Sequence, residues 1–247
     1  MTPEQQAKVR AGLREAFRED ASAAYREWYA AQNALAGRGE ANLCRALADD
    51  LWALVPELDG GLGEERGRFF NNLGAFFGTA GPAANLARAE ACFALALEAW
   101  SGDEDRRARA LHNRGSALAA LGESAAELSR AAACFEEALV FRSGEREIAR
   151  AVTLHHLGIA RRKLAERAPG SASAELERSR AALEEALDLR RRQGLAAGAA
   201  STRFQLGVTL AALGRRDEAR RALEAAAGEL EAAGKAEEAA LARRLAD

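Results

Sequence analysis

Apolar positions near the start of the chain recur at helical spacing. Val9, Leu13, Phe17, Ala24, Trp28 and Leu35 fall four or seven residues apart, which predicts one amphipathic helix of about nine turns. Gly37-Arg38-Gly39 should end it. Leu43, Leu47, Leu51, Leu54 and Leu58 mark a second helix, closing at Asp59-Gly60-Gly61-Leu62-Gly63. Residues 1–66 therefore read as a degenerate repeat or cap.

From residue 67 the pattern becomes periodic on a longer scale. Gly74, Gly115, Gly158 and Gly207 each sit inside an apolar helical stretch, at separations of 41, 43 and 49 residues. Glycine inside a helix costs about 0.5–1 kcal/mol relative to alanine, so its regular return implies close contact with a neighbouring helix. After each glycine comes a second stripe with identical internal spacing: Ala89, Phe93, Ala96, Leu97; Ala131, Phe135, Ala138, Leu139; Ser179, Leu183, Ala186, Leu187; Ala219, Leu223, Ala226, Ala227. The two signatures in step predict four antiparallel helix pairs, 67–107, 108–150, 151–199 and 200–233, followed by a capping helix in 234–247. Turns swollen by Gly78 to Pro82 and by Glu166 to Ser173 interrupt the first and third pairs.

Composition agrees with an all-α chain. Sixty-three alanines stand against 5 valines, 2 isoleucines and 5 threonines, so the best helix former abounds and strand formers are scarce. Thirty-five basic and 37 acidic residues give a net charge of −2 with interspersed signs, which disfavours nucleic acid and anionic membrane as partners. No run of 18 apolar residues and no secretory leader is visible, so a cytoplasmic location is expected. Cys44, Cys92 and Cys134 form no Cys-x-x-Cys pair and are expected to be reduced, mostly buried thiols.

The stretch Leu206-Gly207-Val208-Thr209-Leu210-Ala211-Ala212-Leu213-Gly214-Arg215-Arg216-Asp217-Glu218-Ala219 resembles the tetratricopeptide repeat motif. Leu111-His112-Asn113-Arg114-Gly115 and Leu154-His155-His156-Leu157-Gly158 extend the likeness to the long-period repeats of about 42 residues found in kinesin light chains and bacterial regulators. The resemblance implies a right-handed α-solenoid of antiparallel helix pairs. Arg114, Arg161 and Arg203 stand where that family usually buries an apolar side chain, so their stems should lie on the core with the charges in water.

In such a solenoid the first helix of each pair lines the concave side. The residues placed there are Asn71, Ala75, Gly78 and Thr79; His112, Ser116, Ala119 and Ala120; His155, Ile159, Arg162 and Lys163; Phe204, Val208, Ala211 and Ala212. Two positions before each glycine stand Asn72, Asn113, His156 and Gln205, a row of hydrogen-bonding side chains suited to pairing with extended peptide backbone. By the same resemblance Asn72 and Asn113 would hold that backbone, and Arg162 and Lys163 would favour an acidic segment.

Little else points to chemistry. The three histidines, His112, His155 and His156, include no His-x-x-x-His pair, and no nucleophile elbow or proper phosphate loop occurs. No enzyme activity, metal or cofactor is expected. The leading reading is an adaptor that binds a protein or linear peptide in its concave groove. Alternatives are a peptide-sensing or sequestering regulator, and a subunit that self-assembles through Tyr25, Trp28, Tyr29 and Trp52, which otherwise form the core of the cap.

Overall fold

A computed structural model describes residues 2–37, 41–58, 61–79, 85–142 and 147–246, and every regular element among them is helical. The chain divides into two compact units, residues 1–103 and 104–247. The boundary falls near the end of the first of the four sequence repeats, whose two helices pack with the N-terminal helices. The predicted stops at Arg38-Gly39 and Asp59-Gly60 and the turn residues Ala80 to Pro82 lie outside the described residues, as do the side chains of Leu35, Leu43, Cys44, Leu58 and Thr79.

The first unit contains α1 (Pro3–Glu19), α2 (Ala21–Gly37), α3 (Ala41–Leu58), α4 (Arg66–Thr79) and α5 (Leu86–Ala99). The single long N-terminal helix expected from periodicity is two helices. Asp20 is extended at φ −146° and ψ 93°, and its carboxylate accepts the N–H of Ala23 at 2.9 Å, as an N-cap aspartate does. The apolar stripe survives the break, since Phe17, Ala21, Ala24, Tyr25 and Trp28 are all buried. Their rings converge on Phe69 of α4, with centroids 5.8 Å away for Phe17, 5.7 Å for Tyr25 and 6.2 Å for Trp28. Tyr25 and Trp28 thus belong to a core, Trp52 is half-buried against Phe77, and Tyr29 is 43% exposed.

The second unit contains α6 (Glu104–Leu121), α7 (Ala125–Val140), α8 (Glu147–Arg167), α9 (Ala172–Arg192), α10 (Ala196–Ala212), α11 (Arg216–Ala232) and α12 (Ala236–Ala246). Each of these packs on the next in the chain, and α8 also touches α6 and α10. The last three turns are short and alike. Gly194, Gly214 and Gly234 adopt φ of 68°, 76° and 76°, and the N–H groups of Leu195, Arg215 and Lys235 return to the carbonyls of Arg190, Leu210 and Leu230, the Schellman closure that demands a left-handed residue.

The recurrent helix glycines are contact points. A Cβ built on Gly74 would lie 2.9 Å from the Phe93 ring, on Gly115 2.9 Å from Phe135, on Gly158 2.5 Å from Leu183 Cγ and on Gly207 2.7 Å from Leu223 Cγ. In every pair the large residue of the second helix sits directly on the glycine of the first, so the two signatures are two sides of one interface. Of the three misplaced arginines, Arg161 is 11% exposed and paired with Glu175 at 2.6 Å, and Arg203 is 16% exposed and paired with Glu229 at 2.7 Å. Both bury the stem, but their charges meet carboxylates rather than open water.

Candidate functional site

The candidate groove residues fall into two sets because the units are separate bodies. In the first unit, Asn71 is buried and donates from Nδ2 to Asn72 Oδ1 at 3.2 Å. Asn72 donates in turn to the Tyr25 hydroxyl at 2.8 Å. Burial pushes the Tyr25 phenol up to about 12, outweighing the hydrogen bond from Asn72, so this hydroxyl stays neutral and able to accept. One of the two amide N–H groups of Asn72 is therefore spent inside the unit.

In the second unit the first helices are α6, α8 and α10, and a polar motif that sequence reasoning did not find joins them. Thr153, on α8 five residues before its glycine, lies 3.2 Å from Nδ1 of His112 on α6. Arg142, two residues past the end of α7, donates to the same Thr153 hydroxyl and, at 3.0 Å, to the Ala149 carbonyl. One repeat later Thr202 lies 3.2 Å from Nδ1 of His155, and Arg190 donates to Thr202 and, at 2.7 Å, to the Gly198 carbonyl. Both threonines also bond their own helix, Thr153 to Ala149 and Thr202 to Gly198. At the third junction the equivalent positions are Leu230, Ala242 and Phe204, which sit together in one apolar cluster. The signal was present in the sequence: the threonines hold one register before the glycines, and the arginines stand seven residues after Phe135 and Leu183.

His156 completes the arrangement. Its ring meets His112 at 5.3 Å and His155 at 5.4 Å, both edge-on, and stacks on Phe135 at 6.1 Å. All three histidines of the chain therefore form a contiguous half-buried run, with His156 between the two equivalent positions. Burial, chiefly, brings His112 and His155 down to about 3, with His156 and Arg142 adding at the first, and Arg190, His156 and Lys235 at the second. His156 is lowered too, by burial and then by Arg190. The imidazoles are neutral near pH 7, each of the outer two fixed by a threonine hydroxyl. Among the described residues no group of three histidine, cysteine or acidic side chains is placed to hold a metal ion.

The other candidates take varied positions. Ser116 donates to the His112 carbonyl one turn back at 3.0 Å, and Phe204 is 8% exposed, in the core rather than on an open face. Lys163 reaches from α8 to the Ala119 carbonyl of α6 at 2.8 Å, and Arg162 pairs with Glu166 at 2.5 Å. Asn113 is half-buried and already engaged. Two atoms stand apart: Gln205 Oε1 and Arg162 Nε are buried without a hydrogen-bond partner. Such groups are costly to leave unpaired.

No protein-family model matches the chain, and no curated protein matches its sequence.

What remains is local. Cys92 and Cys134 are buried, and burial raises the Cys92 thiol to about 12, which leaves it protonated and a poor nucleophile at neutral pH. Among the described residues no helix is long and apolar enough to cross a membrane.

Proposed function

We propose that the chain is an interaction scaffold of tetratricopeptide type, its helix pairs stacked as a right-handed solenoid, that holds a linear peptide along α6, α8 and α10. The observation that carries this reading is the pair of unsatisfied atoms on consecutive first helices, the acceptor Gln205 Oε1 and the donor Arg162 Nε. Both atoms are shut off from solvent, so an extended backbone, which presents both an N–H and a C=O at short intervals, would satisfy them as the side chains covering them open. Lys163, bonded to a neutral carbonyl, adds positive charge on α8, whereas Arg162 is already paired with Glu166, so an acidic residue in the peptide is favoured beside Lys163. His112 and His155 serve instead to join first helices to one another, and they hold the face rather than read a ligand.

The test is selection from a displayed random-peptide library against the wild-type protein, followed by titration of the selected peptides into isotopically labelled protein. Shifts should concentrate on α6, α8 and α10, and Arg162→Ala with Gln205→Ala should weaken binding at least about tenfold, the loss expected for two buried hydrogen bonds, while the helical signal is unchanged. Peptides that bind the double variant equally, or that perturb only other helices, would refute the assignment.

A further inference from the structure

The apolar stripe of the N-terminal segment runs from Val9 to Leu35 as if for one helix, yet the chain breaks it at one residue. The break is confined. The Asp20 N–H still donates to Ala16 and the Ala24 N–H to Asp20, so only the N–H groups of Ala21, Ser22 and Ala23 leave the helical ladder. The Asp20 carboxylate takes the last of these.

Packing holds α1 lightly. Phe17 is its one buried side chain among the described residues, and Val9 is 42% exposed. A cavity of about 240 Å³ remains between α1, α2 and α3, lined by Val9, Gly12, Leu13, Ala16, Trp28 and Leu47 among others, and Trp28 Nε1 is buried there without an acceptor. Charge fastens the helix instead. Arg10 donates to both carboxylate oxygens of Asp50 on α3, and Arg14 to one of them, where Asp50 is only 3% exposed. None of these contacts depends on α1 and α3 belonging to one chain.

We propose that α1 exchanges between two copies of this protein. The α1 and α2 segments straighten across Asp20 into one helix of about 50 Å, and α1 of each protomer lies on α2 and α3 of its partner. Arg10 and Arg14 then clasp Asp50 of the partner subunit, and the apolar stripe that the sequence writes without a break becomes continuous. The single-residue hinge makes the exchange short-range and two-fold. The proposal stands independently of peptide binding by the second unit.

Asp20→Ala removes the cap and adds helix propensity at the hinge. Sedimentation equilibrium across the micromolar range should show its dimer dissociating at least about tenfold more weakly in concentration terms than the wild type, with unchanged helix content. A folded Asp20→Ala protein that remains monomeric throughout that range overturns the idea. Exchange is separated from other association by mixing a chain carrying Arg10→Glu and Arg14→Glu with one carrying Asp50→Arg. Each alone should stay monomeric and the mixture should form a one-to-one heterodimer, because only exchange pairs the reversed charges. If Asp20→Ala fails to fold, the same mixture with native Asp20 carries the test. Equal self-association of the separate chains with no preference for the heterodimer places the contact elsewhere, as at exposed Tyr29, and refutes exchange.

Discussion

Residues 1–103 hold all three tryptophans and both tyrosines, and residues 104–247 hold all three histidines. In the first unit the core is a knot of rings around Phe69, and the place seven residues after Phe93, equivalent to those of Arg142 and Arg190 further along, carries Trp100, which packs directly on Gly67. In the second unit most core volume comes from alanine and leucine, and two of the three junctions between pairs are closed by an arginine, a threonine and a histidine. Aromatic area stabilises without regard to pH. A half-buried imidazole packed against an arginine stabilises only while it is neutral, so the same helical pattern yields one unit indifferent to mild acid and one sensitive to it.

The largest expected contrast is therefore acid unfolding. His112 and His155 titrate near 3 when folded and near 6.5 when unfolded, so the unfolded state binds more protons between those values. The stability they contribute is complete above about pH 6.5 and is lost as pH falls toward 3. At about pH 5 each costs about 2 kcal/mol, about 4 together. In the first unit Asp50 lies below the usual carboxylate range because Arg10 and Arg14 outweigh its burial, so its contribution fades only below about pH 4. Tryptophan fluorescence reports the first unit alone and far-ultraviolet circular dichroism reports both. Loss of helical signal near pH 5 with unchanged fluorescence is the expected result, and coincident transitions would dissolve the distinction.

A smaller effect tests the glycine contacts. Gly158→Ala places a methyl 2.5 Å from Leu183 Cγ, and overpacking should exceed the gain in helix propensity, for a net loss of about 1–2 kcal/mol. Gly228→Ala, on α11 with nothing within 4 Å, should instead stabilise by about 0.5–1 kcal/mol. Urea denaturation of both variants decides whether the repeated glycine marks contact or tolerance.

The smallest change at neutral pH should come from turning one polar junction into the apolar kind found between α11 and α12. Combining His155→Phe, Thr202→Ala and Arg190→Leu copies Phe204, Ala242 and Leu230, and replacing a whole buried polar set with packed apolar groups is often near neutral. Stability at pH 7 should shift by about 1 kcal/mol or less, whereas the acid loss should shrink by the share of one histidine. Arg190→Leu alone should do worse than the triple change, since it takes one donor each from Thr202 and the Gly198 carbonyl while the polar His155–Thr202 pair stays behind.

Helix content and the pairing of Gly74, Gly115, Gly158 and Gly207 with the large residues of the second helices were legible because each follows from local propensity or from a spacing written along the chain. The hinge at Asp20 was not, since the apolar period passes through it undisturbed and only a side-chain cap marks it. The candidate face was legible in its register but not in its use. Asn72, His112 and His155 lie on the first helices of their pairs, yet a helix position does not say whether a polar group will meet solvent, a ligand or a neighbouring helix. That choice depends on Tyr25, Thr153 and Thr202, residues 47, 41 and 47 positions away. The sequence by itself determined which residues form helices and which faces are apolar, because these are set by neighbours within a turn or two. Only the tertiary structure decided which hydrogen bonds are spent inside the protein and which atoms, such as Gln205 Oε1, are left to be answered, because burial and partners are fixed by segments that meet only when the helices pack.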